Sequence, residues 1–143
     1  MEVLFPGSSR ADRRFHTELV EVEAGAATAI GAMTVTGFPV EHASGAPAYA
    51  LRIEWAGRTI AYSSDTEWCE RLVNAARNAD LFVCEAYTFE RPVRYHIDHA
   101  TLARHLNRIG ARRVILTHLG PEMLARRNEA AVECADDGLI VDV

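Results

Sequence analysis

Tyr49-Ala50-Leu51-Arg52-Ile53-Glu54-Trp55-Ala56-Gly57-Arg58-Thr59-Ile60-Ala61-Tyr62-Ser63-Ser64-Asp65-Thr66 is the stretch from which the fold can be read. Tyr49, Leu51, Ile53 and Trp55 alternate with Ala50, Arg52 and Glu54, the period of two expected of a half-buried strand. Ala56-Gly57 supplies a tight two-residue turn, with glycine free to take the positive φ that such turns need. Arg58 to Ser63 then returns antiparallel to the first strand. After Ser64 the period changes.

Downstream, Trp68, Leu72 and Ala76 share one face of a helix expected from about Glu67 to Asn78. Asp80 to Glu85 is nearly continuous apolar sequence, as in a strand covered on both sides. A loop holding Pro92 follows. A second helix is expected from about His99 to Ile109, with Leu102, Leu106 and Ile109 inward and Gly110 as its stop. Arg113 to Thr117 reads as another buried strand. Pro121 suits the first turn of a third helix running to about Cys134, and Gly138 precedes a last strand, Leu139 to Val143. Upstream, Leu19 to Glu23 and Ala32 to Val40 read as strands. Antiparallel strands followed by strand–helix units define one α/β (α+β) domain over 1–143, with a mixed sheet and helices mainly on one face.

The chain has 143 residues, 49% hydrophobic content and a net charge of −5, which suits a single globular core. The acidic balance gives no basic footprint for nucleic acid. All 15 basic residues are arginines, many of them between Arg91 and Arg127, so local attraction of an anion stays open beside the ordinary reading of solvated helix faces. Cys69, Cys84 and Cys134 are odd in number and form no C-x-x-C pair, so they read as small core residues. No apolar run reaches the length of a membrane span, and MEVLFPGSSR is too short and polar for a secretory leader. A cytoplasmic location is the default expectation.

His42, Asp65, Glu85 and His118 stand where strands meet loops, and His96 lies in a loop ahead of a helix. Imidazole nitrogens with a carboxylate suit a zinc-like cation. Each residue also has a plainer reading. Ser64-Asp65-Thr66-Glu67 fits a capping box. His42 and His118 could be loop-edge histidines, and Glu85 the hydrophilic end of a strand. Asp98, flanked by His96 and His99, suits a helix cap. His16 and His105 have only a surface reading.

Taken in order, these residues resemble landmarks of the metallo-β-lactamase superfamily, most closely its tRNase Z-like branch. His42 precedes the strand Tyr49-Ala50-Leu51-Arg52-Ile53. Ser64-Asp65-Thr66 stands where that branch has "GDT". Ala79-Asp80-Leu81-Phe82-Val83-Cys84-Glu85-Ala86-Tyr87-Thr88-Phe89 matches its "ADLLIHEATF"-like strand. His96 then precedes a helix, and Leu116-Thr117-His118 matches "LTH".

The resemblance implies the C-terminal half of an αββα sandwich. It also implies a metal-dependent hydrolase, with phosphodiesters as the nearest substrate class. His42 would serve one metal, His118 the other and Asp65 both. His96 would donate a proton to the leaving group, oriented by Glu85. Zinc is the implied cofactor, with two divalent ions in the intact site.

The sequence also departs from the family. It contains no H-x-H-x-D-H signature, which supplies most of the metal ligands. Leu119-Gly120-Pro121-Glu122-Met123 stands where tRNA-processing members carry a serine and an Arg-Tyr pair, and Ser64 replaces a glycine. The chain alone is therefore expected to bind metal weakly or not at all, and to have the architecture without the activity. Its uncovered sheet face would take a second copy or a separate N-terminal half.

Overall fold

The computed structural model describes residues 7, 14–16 and 18–143. The N-terminal stretch read against a secretory leader lies, residue 7 apart, outside the described residues. The elements run β1 (Ala27–Ile30), β2 (Met33–Pro39), β3 (Tyr49–Trp55), β4 (Arg58–Tyr62), α1 (Arg71–Ala76), β5 (Leu81–Glu85), α2 (His99–Ile109), β6 (Val114–Thr117), α3 (Pro121–Ala125), a 3-10 turn Arg127–Glu129, and β7 (Glu133–Cys134). They build one mixed seven-stranded sheet whose spatial order is the chain order. The β1–β4 pairs are antiparallel, and β4 to β7 pair in parallel.

The expected hairpin forms, with Ala56 and Gly57 at φ 49° and 77° and Trp55 paired to Arg58. Alternation then sorts the side chains. Phe38, Ala50, Ala61, Phe82, Cys84 and Leu116 join one core with Leu72, Ala75 and Ala76 of α1, Leu102 and Ile109 of α2 and Met123 of α3. Helices therefore cover that face. On the other face Leu51, Ile53, Ile60 and Val83 are half-buried and Tyr62 is exposed. Leu81, Val83 and Ile115 share a cavity of about 310 Å³ with Leu139 and Val141 of the C-terminal segment.

Five elements differ from the sequence reading, beginning with β1, which no expected strand covers. Leu19 to Glu23 forms no strand; Ala24 makes a single bridge to Gly37. The first helix begins at Arg71, because Glu67 and Thr66 spend their polar atoms on loop contacts described below. The third helix ends at Ala125, where Arg126 turns aside to lie 3.7 Å over the Phe89 ring and pair with Glu90 and Glu129. The last strand is Glu133–Cys134, paired to β6, and Leu139 to Val143 forms no strand. The helix α2 has its expected bounds, with Asp98 accepting a 2.7 Å bond from the Thr101 amide and Gly110 closing it at φ 69°.

Candidate metal and proton-transfer site

The parallel strands β4, β5 and β6 end along one edge of the sheet, the edge where α/β proteins place ligands. Asp65 lies three residues beyond the end of β4, Glu85 is the last residue of β5, and His118 is the first after β6. Glu85 and Thr117 are register partners, which puts His118 beside Glu85. His96 arrives from the β5–α2 loop.

These side chains converge. His96 Nδ1 lies 2.9 Å from Glu85 Oε2. His118 Nδ1 lies 3.0 Å from Asp65 Oδ1 and 3.3 Å from Glu85 Oε2. Asp65, His96 and His118 each offer a donor atom, all within 4.8 Å of one another. Two carboxylates and two imidazoles in this space are reconciled by a shared proton or a cation, and the donor types are those of zinc. The residues present thus fit a divalent metal.

Glu85 is 1% exposed. Its only ion-pair partners among the described residues are the two histidines. Burial pushes its carboxyl above the usual range, against the opposing bonds from the Thr66 amide and His96. Burial, then the charges of Asp65 and Glu85, push the Tyr62 hydroxyl up as well.

His42 stands slightly apart. Its ring is 5.4 Å from that of His96, and its Nδ1 lies 3.1 Å from the Tyr95 carbonyl. A carbonyl only accepts, so Nδ1 carries the hydrogen, and in the neutral ring Nε2 keeps its lone pair, the arrangement of a metal-ligating histidine. The structure therefore brings His42, Asp65, Glu85, His96 and His118 to one place. His96, read from the sequence as a proton donor, shares the tight donor group with Asp65 and His118, whereas His42 borders it.

The capping box does not form. Thr66 instead donates its amide to Glu85 Oε1, accepts the Glu41 amide on its hydroxyl at 3.0 Å, and so joins the neighbours of His42 and of His96. Glu67 Oε1 accepts the Tyr95 amide at 2.7 Å. Ser63 Oγ accepts the Glu85 amide at 2.9 Å. The sequence assigns Thr66 and Glu67 to a capping box and gives Tyr95 no role, because a long-range contact to a backbone amide leaves no motif. Ser64, Tyr95 and His118 also hold positive φ of 53°, 69° and 53°. Each adjoins or belongs to the site, and strain of this kind persists only where surrounding contacts impose it.

A mixed sheet with histidines and carboxylates gathered at the carboxyl ends of its parallel strands defines a class, α/β proteins with a candidate ligand site at that edge. Within that class the chain belongs to the beta-lactamase superfamily, whose domain model matches residues 2–119. It is 34% identical over 96 residues to the uncharacterized protein ML1173 of Mycobacterium leprae, across 64% of this chain and 33% of that protein. It is 38% identical over 103 residues to the ribonuclease Z of Myxococcus xanthus, across 61% of this chain and 33% of the enzyme. The chain thus spans about a third of the length of these relatives.

Among solved structures it resembles the metallo-beta-lactamase fold protein YhfI of Bacillus subtilis, with TM-score 0.73, 19% identity, and coverage of 96% of this chain and 61% of that one. It also resembles Zn(2+)-bound PqqB from Methylobacterium extorquens, with TM-score 0.63, 18% identity, and coverage of 85% and 55%. Both likenesses show the fold.

Proposed function

We propose that this chain carries half of the site of a zinc-dependent hydrolase acting on phosphodiester-type substrates. The observation that supports it best is the convergence of Asp65, His96 and His118 within 4.8 Å around the buried Glu85. Asp65 and His118 would hold the metal, with His42 presenting Nε2 from the rim. When bound, a divalent cation supplies the positive charge that lowers the pKa of water and polarises a phosphoryl oxygen.

Glu85 accepts from His96 Nδ1 and fixes the ring, leaving Nε2 as the face turned to substrate. His96 then gives a proton to the departing oxygen. Glu85 also stabilises the charged imidazole, as carboxylates behind catalytic histidines do. The phosphodiester class rests on the ribonuclease Z relative. The three unpaired cysteines favour a reducing, cytoplasmic setting, and no helix among the described residues is long and apolar enough to cross a membrane.

With no H-x-H-x-D-H signature in the sequence, the isolated chain holds metal weakly. Dialysis followed by metal analysis should find well under one zinc per chain, and one or more tightly held ions would contradict the half-site. Cobalt titration should nonetheless give ligand-field bands that disappear in His118→Ala. Absence of any spectral change in the unaltered chain would sink the metal reading.

A second reading is a non-catalytic module that self-associates or pairs with an N-terminal half, and the half-buried Leu51, Ile53, Ile60 and Val83 beside exposed Tyr62 favour it. Sedimentation at micromolar concentration tests that reading: a dimer supports it, and a monodisperse monomer counts against self-association.

A further inference from the structure

Against both histidines of the site packs a residue to which neither the matched strand nor the donor geometry gives a role. The Tyr87 ring lies 4.8 Å from the His96 ring and 5.4 Å from the His118 ring. The two imidazoles are themselves 5.2 Å apart with planes at 62°. The backbone of Tyr87 is fastened on both sides as well. Its amide donates to the Ile97 carbonyl at 2.9 Å, one residue after His96, and its carbonyl accepts from the Gly120 amide at 2.9 Å, two residues after His118.

Gly120 shows how tight this junction is. Its φ of −74° and ψ of 173° are open to any residue, so conformational freedom does not call for glycine there. Space does. A Cβ on Gly120 would fall 2.5 Å from the Tyr87 carbonyl oxygen, with ring atoms at 3.1 and 3.3 Å.

We infer that Tyr87 is a positioning residue that sets the spacing and relative tilt of His96 and His118. One residue pins the loop after each histidine and packs its ring against both imidazoles from the same side. The effect belongs to the ring and the backbone rather than to the hydroxyl. This inference rests on the metal-site reading only for the second of its two measurements.

The first measurement needs no metal. Proton NOEs between the His96 and His118 rings in the chain as it exists report their approach directly. They should persist in Tyr87→Phe and be lost in Tyr87→Leu, which keeps an apolar side chain while removing the ring. Gly120→Ala, whose added Cβ meets Tyr87 first, should shift both sets of imidazole resonances together. The second measurement is cobalt affinity, which should fall by about 10-fold or more in Tyr87→Leu and recover in Tyr87→Phe, the scale on which residues behind metal ligands act.

Unchanged inter-ring NOEs in Tyr87→Leu would overturn the inference. So would their loss in a folded Tyr87→Phe, which would assign the role to the hydroxyl. If Tyr87→Leu does not fold, Gly120→Ala decides: shifts in one histidine only, or in neither, overturn the inference. If the unaltered chain binds no cobalt, the metal reading fails while the NOE comparison still tests Tyr87.

Discussion

The two ends of the parallel strands carry opposite electrostatics on one sheet. Where β5 begins, Asp80 accepts the Thr59 amide at 2.9 Å and pairs with Arg112 at 2.9 Å and Arg58 at 3.6 Å. That amide bond above all, with the arginines, holds its carboxyl below the usual range. Where β5 ends, Glu85 is buried with histidines and a second carboxylate, and its carboxyl is held above the usual range. The first carboxylate is matched to the charge it meets, so it stabilises the fold at neutral pH. The second is left short of positive charge. A fold that meets all its needs at one end and leaves a charge deficit at the other marks the second end as the place for a ligand.

Removing the deficit gives the largest expected effect. Glu85→Gln should weaken divalent-metal affinity by about 10–100-fold, while the thermal midpoint at pH 7 holds or rises. The raised pKa gives the sign. Glu85's contribution to stability is full below the ordinary glutamate value of about 4.3 and is lost as pH rises through its folded value. A lower midpoint in Glu85→Gln at pH 7 would break the contrast.

Asp80→Asn should do the reverse, lowering the midpoint and leaving metal affinity unchanged. Its depressed pKa places its stabilisation above the ordinary aspartate value of about 3.9, lost as pH falls through the folded value. Acid unfolding curves of the two variants should therefore diverge in opposite directions from that of the parent.

Backbone strain sharpens the same comparison at smaller scale. Ala56, at the far end, has φ 49° in the tight turn, so Ala56→Asn should gain about 1 kcal/mol in a chemical unfolding titration. Ser64, at the site end, has φ 53° and gives its hydroxyl to the Tyr49 carbonyl at 2.7 Å. In Ser64→Gly, strain relief of about 1–2 kcal/mol is offset by a lost bond of about 1 kcal/mol, leaving little net change. A large gain would show that Ser64 is merely a poor choice of residue.

The smallest effect concerns His99, buried beneath Phe89, whose Nε2 accepts the Ala131 amide at 2.9 Å and whose Nδ1 has no partner among the described residues. Burial depresses its pKa, with Arg126 adding to that and Asp98 and Glu90 opposing it. A depressed value means stability present above the ordinary histidine value of about 6.5 and lost as pH falls through the folded one. Midpoints measured between pH 7.5 and 5 should slope downward, and His99→Gln should flatten that slope without moving metal affinity.

Much of this was legible from the chain. The Ala56-Gly57 turn, α2 with Asp98 and Gly110 at its ends, and the buried strands β5 and β6 follow from local period and capping chemistry. Four of the site residues stand where strands meet loops and His96 lies ahead of a helix, and their roles come from the ordered resemblance to the superfamily. What stayed hidden depends on atoms brought together from far along the chain. Thr66 and Glu67 look like the start of a helix until the Glu85 carboxylate and the Tyr95 amide claim them. Two residues of β7 offer too short a signal against the stronger apolar alternation of Leu139 to Val143. Trp68 and His105, each read as an ordinary helix residue, stack with ring centroids 4.1 Å apart, a contact between α2 and the segment ahead of α1 that no local period encodes.

Sheet order equal to chain order has a consequence for how the molecule comes into being. Each strand pairs with the one made just before it, so no pairing skips a strand, the antiparallel pairs closing short loops and the parallel pairs longer crossovers. During synthesis Asp65 would emerge on a hairpin already formed, Glu85 would join one crossover later, and His118 would arrive only when β6 docks. The site is thus assembled in the order of its residues, and its final histidine reports that the parallel half of the sheet has closed.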